Sequence, residues 1–121
     1  MIPDEYVQIF LDEANEKLEE VEQNLPKMKE SSDSIAILRR SVHTIKGSAA
    51  MLGFLNLSKL LKCMEFTFKK AIDENFVINE NILDLIKESL KAVNDELIYI
   101  KETHKEGIDP SKLILRYNFL D

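Results

Sequence analysis

Apolar residues return every third or fourth position along most of the chain, the spacing of an amphipathic α-helix. In a first segment, residues 3–25, the stripe is Val7, Phe10, Ala14, Leu18, Val21 and Leu25, with Pro3 suited to the first helical position and Pro26 marking the end. A second segment, residues 33–52, carries Leu38, Val42, Ile45, Ala49 and Leu52. Ser32 or Asp33 is its N-cap candidate, and Gly53 its stop. The third segment, residues 57–73, carries Leu57, Leu60, Leu61, Met64, Phe68 and Ala71. After a short loop, Asn79 is the N-cap candidate for a fourth segment, residues 80–106. Its stripe is Ile82, Ile86, Leu90, Val93, Leu97 and Ile100, and Gly107 stops it. No segment alternates in the manner of a strand. Four amphipathic helices with short connections predict an all-α fold, an antiparallel four-helix bundle over residues 1–106. Residues 107–121 form a C-terminal extension in which Asp109-Pro110 opens a short fifth helix. Its Leu113, Ile114, Leu115, Tyr117, Phe119 and Leu120 call for burial, on the bundle's own surface or on another domain.

Composition narrows the function. The 121 residues carry a net charge of −6, which argues against nucleic acid, whose binders present basic surfaces. The most apolar stretch, residues 49–57, is far short of the roughly 20 residues that cross a bilayer, so no membrane partner is expected. No signal-peptide pattern opens the chain. Cys63 is the only cysteine, which leaves neither an internal disulfide nor a cysteine-rich zinc site. A reducing, cytoplasmic setting is the default. The acids of the first segment (Asp4, Glu5, Asp12, Glu13, Glu16, Glu19, Glu20 and Glu22, against Lys17 alone) read as a solvated face.

Candidate chemistry gathers around His43, in the run Ser41-Val42-His43-Thr44-Ile45-Lys46-Gly47-Ser48. A helix turns about 100° per residue, so with Leu38 at zero His43 lies about 140° round, outside the apolar stripe. Lys46 lies at about 80°, Arg39 at about 100° and Ala50 at about 120°, all on the same flank. On the third helix, with Leu57 at zero, Glu65 lies at about 80°, Lys69 at about 120° and Lys62 at about 140°. The pairs His43 with Glu65, Lys46 with Lys62, and Arg39 with Lys69 share one midpoint, position 54. An evenly folded hairpin therefore sets His43 level with Glu65 and lysines above and below. A carboxylate accepting from Nδ1–H fixes the tautomer and leaves the Nε2 lone pair outward as a nucleophile. Lys46, assisted by Lys62, then balances a phosphoryl group placed there. Gly47, inside a helix, either clears space beside the ring or allows close packing.

His43-x-x-Lys46-Gly47, with Gly53 ten residues after the histidine, resembles the signature of histidine-containing phosphotransfer (Hpt) domains. The acidic first helix, the Gly53-Phe54 turn and Glu65 resemble most closely the N-terminal phosphotransfer domain of CheA-type chemotaxis kinases, over residues 5–105. The resemblance implies a phosphocarrier in a two-component, chemotaxis-like phosphorelay, not itself an enzyme, either standing alone or as part of a longer histidine kinase. Its partners would be the kinase's ATP-binding domain, which supplies the phosphoryl, and a response-regulator receiver domain, which takes it on an aspartate. The domain would bind no cofactor; ATP and Mg²⁺ belong to the partner domains. Carried over, His43 is the phosphoacceptor at Nε2, Glu65 orients Nδ1, Lys46 assists the phosphoryl and Gly47 gives access. Lys62, Arg39 and Lys69 are auxiliary candidates. Lys62 stands where CheA-type domains often carry a second histidine, and Ser48 where glycine is frequent.

Other candidates are weaker. His104 near the end of the fourth helix suits the helix dipole and reads as structural or solvated. Cys63 has no reactive company. Phe66, opposite the core stripe, packs under another segment or, with Ala50, belongs to a partner surface. No metal site is expected, because no further His or Cys joins His43 and Glu65 and lysines flank them. A helical adaptor that has lost phosphotransfer is the alternative reading, but it would not need the intact His43, Lys46, Gly47 and Glu65 set. A hydrolase or metalloenzyme would need further convergent catalytic groups.

Overall fold

The computed structural model describes residues 2–120. Four long helices, α1 (Asp4–Asn24), α2 (Ser32–Met51), α3 (Leu55–Asp73) and α4 (Glu80–Thr103), are followed by a short α5 (Ser111–Asn118). A single 3₁₀ turn, Leu25–Lys27, follows α1, because Pro26 lacks the N–H that would continue the helix. Each long helix packs on the next, and α4 closes the ring against α1. The connections are short, so neighbours run antiparallel, up-down-up-down. Among the described residues no helix is long and apolar enough to cross a membrane.

The four stripes meet at the centre. Val7, Phe10, Ala14, Leu18 and Val21 of α1 face Leu38, Val42, Ile45 and Ala49 of α2, with Leu57, Leu60, Leu61, Met64 and Phe68 of α3 and all six stripe residues of α4 in the same buried cluster. Leu25, Leu52 and Ala71, at the stripe ends, are only partly buried. The core also takes in Leu11, Met28, Phe54, Ile78 and Leu85, which the stripes omit.

The helix ends depart from expectation by one to three residues. Pro3 is the residue before α1 rather than its first; its carbonyl accepts from the N–H of Tyr6 and Val7. Ser31, extended, precedes α2, so Ser32 and Asp33 lie inside the helix and no side chain caps it. At α4 Asn79 does cap, accepting from the Ile82 N–H at 3.0 Å. The same helix ends at Thr103, three residues short of 106, where His104 adopts the left-handed conformation (φ 56°). Its ring nitrogen then sits 2.9 Å from Asp4 at the start of α1. Gly107 is therefore not the stop; a Cβ there would come within 2.5–2.9 Å of the Tyr99 ring, which would have to shift.

The segment after α4 is held from below and above. Glu96, buried on α4, accepts from the N–H groups of Gly107 and Ile108 at 2.9 and 3.1 Å. Glu106 accepts from the Leu57 N–H at 2.9 Å, supplying the N-terminus of α3 with a carboxylate where Phe54 offers no side-chain cap. Beyond it, α5 packs on α3 and α4. Tyr117 is buried there with its hydroxyl 2.7 Å from Ser89 Oγ, and burial pushes its pKa well up. Leu115 and Phe119 are not buried on the bundle's own surface, because a helix of two turns covers the bundle with one face only.

Glu96→Ala, which leaves two backbone N–H groups without their acceptor, should lower unfolding free energy by about 1–3 kcal/mol. The exposed Glu102→Ala should stay within about 0.5 kcal/mol of the parent. Urea denaturation of the two variants checks this, and equal losses would contradict it.

Candidate functional site

The site sits on the α2–α3 hairpin, and its turn is built by three residues. Gly53 takes a left-handed conformation (φ 83°). Its N–H donates to Ala50 O at 3.0 Å and the Phe54 N–H donates to Ala49 O at 2.9 Å, the paired bonds of a Schellman motif. Phe54 then turns inward and packs against Phe10, ring centroids 5.6 Å apart. A bond from Ser58 Oγ to Lys46 O at 3.2 Å ties the two helices beside the turn.

Across that hairpin His43 and Glu65 meet. His43 Nδ1 lies 2.5 Å from Glu65 Oε2, and Lys46 Nζ donates to Glu65 Oε1 at 2.6 Å. Arg39 brings a guanidinium nitrogen to 3.9 Å from Oε2, the same oxygen that holds the histidine. One carboxylate thus gathers three groups from α2, spaced four and three residues apart on one face. Exposure is graded: the Glu65 side chain is 12% exposed, Lys46 24%, Arg39 37% and His43 60%. With Nδ1 turned to Glu65 on a largely exposed ring, Nε2 is the nitrogen left without a hydrogen bond among the described residues.

Burial of Glu65 works to raise its carboxyl pKa, but the hydrogen bonds and charges of Lys46 and His43 outweigh it and hold the value below the ordinary carboxylate range. Gly47 follows Lys46 on the exposed side, and a Cβ built there would meet nothing within 4 Å. Close packing therefore does not explain this glycine.

Lys62 and Lys69 do not join the group. Neither lies within ion-pair distance of Glu65 or of any other carboxylate among the described residues. Lying about 40–60° further round α3 than Glu65, they stand exposed while the carboxylate draws Lys46 and Arg39 to itself. Lys62 instead edges a cleft of about 340 Å³ between α3 and α5, with Cys63, Phe66, Lys70, Phe76 and Tyr117. Burial raises the Cys63 thiol pKa there. Phe66 is 59% exposed and carries the Lys70 ammonium 5.9 Å from its ring centroid, so it packs under no other segment. Ala50 is exposed as well. Among the described residues no group of three or more His, Cys, Asp or Glu is placed to hold a metal.

The acidic face of α1 is not wholly solvated. Ser48 Oγ donates to Glu13 and Ser41 Oγ donates to Glu20 at 2.9 Å. The two serines are seven residues apart on α2, and the two glutamates seven apart on α1, so both rungs belong to one antiparallel register. The matching spacing is present in the sequence, but it carries meaning only once α1 and α2 are known to be neighbours.

An Hpt domain model matches residues 5–96. The chemotaxis protein CheA of Borreliella burgdorferi is 30% identical over 97 residues, 78% of this chain and 11% of that protein. CheA of Salmonella typhimurium is 28% identical over 117 residues, 93% of this chain and 17% of that protein. The sensor histidine kinase CheAY of Helicobacter pylori is 29% identical over 102 residues, 82% of this chain and 13% of that protein. The chain therefore spans between 11% and 17% of the length of these three relatives. The phosphorylated P1 domain of CheA3 from R. sphaeroides, solved in complex with CheY6, shares the fold with a TM-score of 0.85. That match covers 98% of this chain and all of the other at 16% identity.

Glu65, with its lowered pKa, contributes stability that is present above the unfolded carboxylate pKa and lost as pH falls through the folded value. Glu65→Gln should therefore flatten the acid limb of a stability–pH curve measured by urea denaturation; an unchanged limb would count against the pairing. Gly47→Ala should raise stability by up to about 1 kcal/mol, because the helix gains a better former and the new methyl group meets no neighbour.

Proposed function

The chain belongs to the Hpt domain family, and we propose that it serves as a phosphocarrier in a chemotaxis-like phosphorelay, with His43 as the phosphoacceptor. The observation that carries this reading is the 2.5 Å approach of His43 Nδ1 to a nearly buried carboxylate on a ring that is 60% exposed. A hydrogen bond at Nδ1 commits the proton to that nitrogen and leaves the Nε2 lone pair facing outward.

In the proposed forward step, Nε2 attacks the γ-phosphorus of ATP held by a histidine kinase domain. The N–P bond forms, the bond to the bridging oxygen breaks, and ADP leaves. The imidazole keeps its proton on Nδ1, against Glu65, so the ring charge that develops is met by the carboxylate. Lys46, three residues on along the same flank, can turn its ammonium from Glu65 to the phosphoryl oxygens. In the second step a carboxylate oxygen of a receiver-domain aspartate attacks the phosphorus, the N–P bond breaks, and its electron pair returns to Nε2. Phosphoryl transfer needs mainly positioning and charge neutralisation, which is why so few side chains suffice. ATP and Mg²⁺ enter with the partner domains, and a cytoplasmic setting is part of the same proposal. The open space beside Gly47 lets a partner's reacting group approach the ring.

Support for these partners comes from the relatives. CheAY is described as a sensor histidine kinase, and the P1 domain of CheA3 was solved phosphorylated and in complex with CheY6. The chain acts in this reading as the phosphocarrier of a kinase of the histidine kinase class, not as the kinase.

His43→Gln should abolish acid-labile labelling by a chemotaxis histidine kinase domain with radiolabelled ATP. Glu65→Ala should slow labelling tenfold or more, on the scale of lost general-base or orienting groups (about 10²-fold), with the helical circular dichroism retained. Label that persists without His43 would refute the site, and equal rates for Glu65→Ala would remove Glu65 from the mechanism.

A further inference from the structure

We propose that Arg39 is a positioning residue that takes over the Glu65 carboxylate when Lys46 turns to the phosphoryl group, keeping the shared proton on His43 Nδ1. The inference rests on the phosphocarrier reading of His43 and deepens it.

Two demands fall on Lys46. In the structure its ammonium bonds Glu65 Oε1 at 2.6 Å. A phosphoryl group on Nε2, with a charge near −2, competes for the same ammonium three residues along the helix. A carboxylate that is 12% exposed recovers from water only part of what it loses in Lys46. It has two ways to relieve that loss: it can draw the proton from Nδ1 onto Oε2, or it can find another cation. Arg39 is that cation. Its guanidinium nitrogen stands 3.9 Å from Oε2, about 1 Å beyond a charge-assisted hydrogen bond, and it faces the oxygen that holds the histidine rather than the one that holds Lys46. A guanidinium presents a planar fork of donors that matches a carboxylate, so it is suited to stand in.

The other charges around the pair do not offer this. Lys62 and Lys69 of α3 stand outside ion-pair distance of Glu65. The α1 carboxylates Glu13 and Glu20 are engaged with Ser48 and Ser41. The placement of the proton matters because a ring protonated at Nδ1 leaves the phosphorus as a neutral imidazole. A ring that has lost the proton would leave as an anion, a far poorer leaving group. Arg39 thus keeps the phosphorylated domain ready to give.

The test uses the full chain with His43 ring nitrogens labelled with ¹⁵N, loaded chemically with phosphoramidate so that no kinase is needed. In the unphosphorylated protein the Nδ1 resonance of Arg39→Gln should match the parent, because Lys46 still holds Glu65. In the phosphorylated protein the Nδ1 shift of Arg39→Gln should move toward the unprotonated value. Transfer of its phosphoryl to a chemotaxis receiver domain with Mg²⁺ should slow by roughly threefold to fivefold, the size expected of a partly exposed charge pair. Arg39→Lys, which keeps the charge, should restore most of both. Identical phosphorylated spectra and transfer rates in parent and Arg39→Gln would overturn the proposal. So would a change of equal size in both states, which would mark a merely structural role, or a failure of Arg39→Lys to rescue. If a kinase domain never labels His43 while the phosphoramidate-loaded variants behave as stated, the phosphocarrier reading fails and the role of Arg39 does not.

Discussion

The rotation and height of α2 are the constraint on which the rest of the site depends. A histidine outside the apolar stripe has no core contact to hold it, so its place is set by whatever holds the helix. Two clamps do so from opposite sides. Toward α1, Ser41 and Ser48 engage Glu20 and Glu13 two helical turns apart. Toward α3, the left-handed Gly53 and the inward Phe54 close the hairpin tightly, and Ser58 ties back to the Lys46 carbonyl. His43 lies between the serines in sequence, and Gly47 directly precedes the second of them. Rotating α2 enough to disengage the serines would carry the histidine away from Glu65.

Within that frame a single carboxylate organises the chemistry. Glu65 takes one partner on Oε1 and two groups on Oε2, and all three come from the facing helix. Its partial burial weakens competition from water, and the surrounding donors keep it ionised despite the cost of desolvation. The chain as a whole carries −6, yet the rim of this site is cationic. Charge is thus distributed against the average of the chain at the place where a phosphoryl group would have to be accepted. A phosphocarrier needs an exposed nucleophilic nitrogen, a fixed tautomer and nearby positive charge, and these are the properties the α2–α3 hairpin combines.

Most of the core was legible in the sequence because a stripe that recurs at helical spacing has only one way to be buried. Every stripe residue of α4, from Ile82 to Ile100, lies in the core. The level match of His43 with Glu65 was legible for a similar reason: a short glycine turn leaves little freedom in hairpin register. Reading failed where position along a helix does not decide contact. Lys62 and Lys69 share the height of Lys46 and Arg39, but they lie further round α3 and like charges do not seek one another. Leu115 and Phe119 are as apolar as their neighbours, yet they fall on the side of α5 that has nothing to cover. Ser48 looked like a mild departure at a glycine position and is one half of a rung to α1.

By itself the sequence determined four amphipathic helices, their order, the hairpin reversal at Gly53 and a histidine set off the core beside a carboxylate. These follow from local spacing and backbone preference, which act over a few residues and need no partner. Only the tertiary structure decided which cations reach Glu65, that Glu13 and Glu20 leave the solvated face to hold α2, and that Glu96 and Glu106 fasten the segment after α4. Each of those is a contact between helices or with a loop, where fractions of a helical turn and the exclusion of water choose among side chains that look equivalent along the chain.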